Sequence, residues 1–114
     1  MLKIKSYVKV NSIAEAYELN QKKTACVLGG MVWLKMGNRN ISTAIDLSGL
    51  GLEGIQETDD EFVIGCMTSL RALETDKRLN EYTQGAIRES VRHIVGVQFR
   101  NCATVGGSIW GRYG

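Results

Sequence analysis

Two glycine pairs are the residues best placed for chemistry in this chain. Gly29-Gly30 follows Thr24-Ala25-Cys26-Val27-Leu28, and Gly106-Gly107 follows Ala103-Thr104-Val105. Glycine lets the main chain approach a ligand closely and adopt φ > 0. Successive free N–H groups in such a turn form a concave anion site. Two such turns in a short chain point to a diphosphate-containing cofactor held from two sides. The segment Gln98 to Ile109 adds the hydroxyls of Thr104 and Ser108, which suit phosphate oxygens because these only accept hydrogen bonds. Taken singly, each pair also reads as a plain turn. For the second, the plain reading is a glycine-rich hairpin with Arg100 and Arg112 in solvent.

A third glycine cluster, Gly49-Leu50-Gly51-Leu52-Glu53-Gly54, fits G-x-G-x-x-G by letter. That pattern binds dinucleotides only where a helix starts at the turn, because the pyrophosphate rests on the helix N-terminus. Here Ile55 to Asp60 continues as a short strand and an acidic turn, so the cluster reads as a flexible connection. No Gly-Lys-Ser/Thr phosphate loop occurs. No general acid, base or nucleophile is evident, so no catalytic residue is assigned. Three widely spaced cysteines and one histidine, His93, give no metal-ligand spacing. Cys26 and Cys66 lie in apolar runs and read as buried free thiols.

The elements that must position these residues follow from periodicity and capping. Tyr7 to Val10 reads as extended chain. Ser12 with Glu15 forms a capping box, and Ile13, Ala16 and Tyr17 share one helical face, with the helix ending near Lys22-Lys23. Thr24 to Leu28 and Thr43 to Leu47 read as strands, and Met31 to Met36 as a short helix stopped by Gly37-Asn38. Ile55–Glu57 and Phe62–Ile64 suit a hairpin around Thr58-Asp59-Asp60-Glu61. Thr68 is placed to cap a helix carrying Leu70 and Leu73. A longer helix from about Thr83 carries Ile87, Val91, Ile94 and Val95 on one face and ends at Gly96. The fold class is α/β, grading into α+β, in two small lobes: 1–54, with the first glycine-pair loop, and 55–114, the start of a second lobe.

Composition narrows the function classes. The chain has 114 residues and a formal net charge of +2 with scattered Lys and Arg, which argues against nucleic acid. The most apolar run, Ala25 to Leu34, is far below the ~20 residues of a membrane-spanning helix. The N-terminus lacks a signal-peptide h-region. A cytoplasmic protein with no membrane partner is expected.

The segment Gln98-Phe99-Arg100-Asn101-Cys102-Ala103-Thr104-Val105-Gly106-Gly107-Ser108-Ile109 resembles Q-I-R-N-x-A-T-L-G-G-N-I, part of the signature of FAD-binding subunits of molybdenum hydroxylases of the xanthine dehydrogenase and carbon monoxide dehydrogenase type. Leu28-Gly29-Gly30-Met31-Val32-Trp33-Leu34 resembles the family's A-G-G-T-D-L-L. Ile45-Asp46-Leu47 and Val63 to Leu70 resemble its intervening segments. The resemblance implies a two-lobed FAD-binding fold of the vanillyl-alcohol-oxidase (PCMH) type, truncated here because family members continue past this point. It implies that Leu28, Gly29, Gly30, Met31, Val32 and Trp33 cradle the FAD pyrophosphate, and that Ala103, Thr104, Gly106, Gly107 and Ser108 hold its other side. Ile94 and Val95 fall where the family lines its adenine pocket. Met31, Val32 and Ser108 depart from the family's Thr, acidic residue and Asn, which removes side-chain contacts and keeps backbone donors.

The same resemblance implies an oxidoreductase component. Electrons would pass from a molybdopterin centre through [2Fe-2S] clusters, both in partner subunits, to FAD and then to an acceptor such as NAD. Unpaired strands would allow self-association. A truncated remnant or interaction module that no longer binds FAD is the alternative. A general nucleotide-binding protein is a third reading.

Overall fold

The computed structural model describes residues 1–111, and Arg112 lies outside them. The chain divides into two units, Met1–Leu52 and Glu53–Gly114.

The first unit is a three-stranded parallel sheet with a helix on each face. Strands β1 (Lys3–Lys9), β2 (Ala25–Leu28) and β3 (Asn40–Asp46) lie in the order β1-β3-β2. Helix α1 (Ile13–Leu19) carries the chain from β1 to β2, and α2 (Val32–Lys35) brings it back to β3. The two crossovers run in opposite directions across the sheet, which puts their helices on opposite faces. Adjacent strand residues point to opposite faces. Accordingly Ile45 packs with Val10, Ala16 and Ala25 on one side, and Ala44 with Leu28 on the other; Ile41, near the start of β3, joins the Ala44 cluster. Ile41 and Ile45 are fully buried, each contributing about 1.5–3 kcal/mol of apolar transfer.

The Ser12 cap forms as expected: its Oγ accepts the Glu15 N–H at 3.1 Å. The Glu15 carboxylate reaches back to the N–H of Asn11 at 2.8 Å, one residue beyond the capping-box partner. The predicted apolar face is corrected. Ala16 is buried, while Ile13 and Tyr17 are 63% and 67% exposed, because α1 covers only a narrow sheet and Leu19 completes its contact. The helix stops at Leu19, short of Lys22-Lys23.

The second unit begins with the hairpin β4 (Ile55–Glu57) and β5 (Phe62–Ile64), paired antiparallel as read from the sequence. Five short helices follow: α3 (Leu70–Thr75), α4 (Lys77–Tyr82), α5 (Ala86–Val91), α6 (Val97–Cys102) and α7 (Val105–Gly111). Leu70, Leu73 and Leu79 form the core, with Ile55, Phe62, Ile64, Ile87 and Ile94 against them.

Four expectations are corrected here. Ser69, not Thr68, caps α3, its Oγ accepting the Ala72 N–H at 3.0 Å. Thr68 is instead buried, and its hydroxyl exchanges hydrogen bonds with the Gly54 main chain. The long helix from Thr83 is only the short α5, which ends at Val91 before Ile94 and Val95, and α4 precedes it unpredicted: Asp76 ends α3 and caps α4, an exchange invisible to apolar periodicity. Gly96 opens α6 rather than closing a helix. The glycine-rich hairpin that is the plain reading of the second pair does not form; Thr104 makes a single bridge to Ser69, and Gly106-Gly107 lie inside the first turn of α7.

The cysteines are free, but Cys66 and Cys102 are exposed rather than buried. Their apolar neighbours in sequence belong to the ends of elements, not to the core.

Candidate cofactor site

The first glycine pair sits at the carboxyl end of the parallel sheet. Leu28, the last residue of β2, pairs with Asp46, the last of β3, so Gly29-Gly30 emerges beside Leu47. In open parallel sheets this edge is where ligands bind. Gly29 is exposed and Gly30 half-buried. The left-handed conformation falls on neither glycine but on Met31, at φ 64°, which is the N-cap of α2. A non-glycine residue there costs roughly 1–2 kcal/mol; Met31 offsets part of it by packing against Leu28, Ile41 and Ala44. Among the described residues no side chain caps α2, and none accepts from the N–H groups of Gly30, Met31 or Val32. Trp33 is about half exposed at the next position.

On the same edge, the Tyr7 hydroxyl donates to Asp46 Oδ2, and Asp46 Oδ1 accepts the Ser48 N–H at 2.8 Å. The Tyr7 bond chiefly holds the Asp46 carboxyl below its ordinary value, with the Ser48 N–H adding to it. The same bond raises the Tyr7 hydroxyl. Asp46 therefore stays ionised and pins the chain leaving β3 next to the glycine turn.

The second glycine segment is built differently. Gly106 N–H donates to Cys66 O at 2.8 Å, Val105 N–H to Thr68 O at 2.9 Å, and Ser108 N–H to Thr104 O at 3.0 Å. Gly107 N–H donates to Thr104 Oγ1 at 3.1 Å. A Cβ on Gly106 would lie 2.8 Å from Cys66 O and 3.0 Å from Cys66 Cβ. Gly106 is thus required by the close passage of the Cys66 loop. Its N–H and those of its neighbours are already engaged in the fold. What this segment leaves for an incoming oxygen is the hydroxyl protons of Thr104, which is buried, and Ser108, which is half-buried.

Arg100, read from sequence as solvated, is buried at 5% exposure. Its Nε donates to Glu74 Oε1 at 2.7 Å and its Nη1 to Ile94 O at 3.0 Å. Glu74 also pairs with Arg71 at 3.0 Å. The Arg100 hydrogen bond is the main reason its carboxyl lies below the usual range, with Arg71 reinforcing it. Ile94 is half-buried in the core, whereas Val95 is 71% exposed and left-handed at φ 53°. Glu74 and Asn80 were not legible as functional residues, because their partners come from helices whose boundaries only the fold defines. Among the described residues no cluster of His, Cys, Asp and Glu could hold a metal ion, and no helix is long and apolar enough to cross a membrane.

A family described as the FAD binding domain in molybdopterin dehydrogenase matches residues 2–113. The chain belongs to that family. Solved structures similar to this FAD binding domain include a Cu,Mo-CO dehydrogenase in a cyanide-inactivated form, at 30% identity and TM-score 0.82 over 95% of this chain and 40% of that one. They also include carbon monoxide dehydrogenase from Hydrogenophaga pseudoflava lacking the Mo-pyranopterin moiety, at 29% identity and TM-score 0.81, over 91% of this chain and 38% of that one. Quinoline 2-oxidoreductase from Pseudomonas putida 86, at 19% identity and TM-score 0.76 over 96% of this chain and 39% of that one, shares the fold. The chain therefore spans about two-fifths of the length of these relatives. No curated protein matches it.

FAD is the cofactor of this family, and the Gly30–Val32 turn fits it. Its three N–H groups have no acceptor among the described residues, and a pyrophosphate supplies acceptors only. The FAD binding domain's second glycine pair fits less directly, through hydroxyls rather than main-chain donors.

Proposed function

We propose that this chain binds FAD as the flavin-carrying part of a molybdopterin-dependent, xanthine dehydrogenase-like oxidoreductase. The observation that carries this is the family match across residues 2–113. Leu28, Gly29, Gly30, Met31, Val32 and Trp33 would contact the pyrophosphate, with Gly30 to Val32 donating. Thr104 and Ser108 would donate hydroxyl protons, Ala103, Gly106 and Gly107 would shape that turn, and Ile94 and Val95 would meet the adenine. Bound FAD supplies the redox chemistry; the chain's part is to hold and orient it. Iron–sulfur and molybdopterin subunits in the cytoplasm would deliver electrons, and an acceptor such as NAD would receive them. Titration of the purified chain with FAD, followed by flavin fluorescence, tests the reading. Saturable quenching that ADP competes away supports it; no change at any FAD concentration ends it.

A second reading is a module that folds but holds no flavin. The four engaged N–H groups from Val105 to Ser108 favour it. Under that reading purified protein carries no flavin absorbance and binds none when FAD is added.

A further inference from the structure

The Ile94–Val95 peptide is held by a buried cation on one side and open on the other. Arg100 Nη1 donates to the Ile94 carbonyl at 3.0 Å, while Arg100 Nε is fixed by Glu74 Oε1 at 2.7 Å. Glu74 is itself held by Arg71, and its own carbonyl accepts from Arg88 Nε at 3.2 Å and Asn80 Nδ2 at 3.2 Å. The guanidinium is therefore anchored before it reaches the turn. In a trans peptide the C=O and the next N–H point in opposite directions. Fixing the Ile94 carbonyl on the buried side turns the Val95 N–H outward. Among the described residues no group accepts from that N–H. Val95 pays for the orientation with a left-handed backbone at φ 53°, rare for a β-branched residue. Its exposed side chain offers no packing in return. Strain of this kind persists where the surroundings impose it, and it gathers at ligand sites.

We infer that Arg100, braced by Glu74, is a positioning residue that presets the Val95 N–H as a donor to the adenosine diphosphate half of FAD. The inference rests on the reading that the chain binds FAD. Pre-set geometry removes an ordering cost from binding.

Arg100→Lys tests it. An ammonium keeps the charge but cannot fork to a carboxylate and a carbonyl as the guanidinium does. Affinity for FAD and for ADP, measured on the full chain by fluorescence and calorimetry, is expected to fall about tenfold. Adding Val95→Gly, which adopts φ > 0 without restraint, is expected to restore most of the ADP affinity and leave the thermal midpoint of Arg100→Lys unrestored. If Arg100→Lys does not fold, Glu74→Gln, which loosens the brace, takes its place with the same expected pattern. Unchanged ADP affinity in the variant, or a loss that Val95→Gly does not relieve, overturns the inference while wild-type binding keeps the FAD reading intact. A wild-type chain that binds neither FAD nor ADP overturns both.

Discussion

The Arg100 guanidinium donates to the Glu74 carboxylate across 2.7 Å and ties α6 to α3 inside the second unit. Both side chains are nearly out of solvent, at 6% and 12% exposure. Arg100→Leu leaves Glu74 with Arg71 as its remaining cationic partner, so the urea midpoint is expected to fall clearly. Replacing both together, Arg100→Leu with Glu74→Leu, should cost much less than Arg100→Leu alone.

The same pair sets an acid limit. Glu74 is held below its ordinary value of 4.5, first by Arg100. A depressed carboxyl stabilises the fold above the unfolded value, and that contribution drains away as pH falls through the folded one. Thermal midpoints measured from pH 7 downward should therefore drop below about pH 4.5. Glu74→Gln should flatten that drop only in part, because Asp46 is also lowered and loses its contribution below its own ordinary value of 3.8.

Tyr7 and Asp46 form a separable couple at the sheet edge. With the Tyr7 hydroxyl the main cause of the Asp46 shift, Tyr7→Phe should move the Asp46 titration upward toward its ordinary value of 3.8, read by carboxyl carbon NMR. An unmoved titration would transfer the effect to the Ser48 N–H.

The two glycines of the second pair should respond unequally. A Cβ at position 106 meets main chain at 2.8 Å, which cannot step aside, whereas at 107 it meets the Thr104 hydroxyl at 3.0 Å. Gly106→Ala is expected to destabilise by about 2–3 kcal/mol, the cost of overpacking, and Gly107→Ala by clearly less. Denaturant midpoints of the two variants compare them directly.

Asn80 should be among the least replaceable polar residues. Buried at 4% exposure, it donates to the carbonyls of Leu73, Glu74 and Asp76 and accepts the Arg88 N–H. Asn80→Ala takes this partner from the Leu73 carbonyl and the Arg88 N–H, for about 2–3 kcal/mol lost in the same assay.

Much of this fold was legible from local pattern. The βαβαβ order of the first unit, the β4–β5 hairpin and the Ser12 cap follow from apolar runs, turn residues and a three-residue spacing. The resemblance of Gln98 to Ile109 and of Leu28 to Leu34 named the family that residues 2–113 match. The linear chain also exposed Gly49 to Gly54 as a false dinucleotide motif, since no α-helix begins after it; a 3-10 turn, Ser48–Leu50, overlaps its start and β4 follows it.

Elements whose signals lie within a few residues of one another, and the positions of the two glycine pairs, can be read along the linear chain. The surroundings of each glycine pair depend on contacts made in three dimensions. At Gly29-Gly30 the sheet edge leaves N–H groups open, and the left-handed residue is Met31. At Gly106 the Cys66 loop, forty positions earlier in the chain, takes up both the space and the donor. Likewise Arg100 reads as solvated until Glu74 and Ile94 close around it. Hydrogen bonding and close packing depend on which groups meet in space, and partners brought from distant segments leave no trace in local spacing.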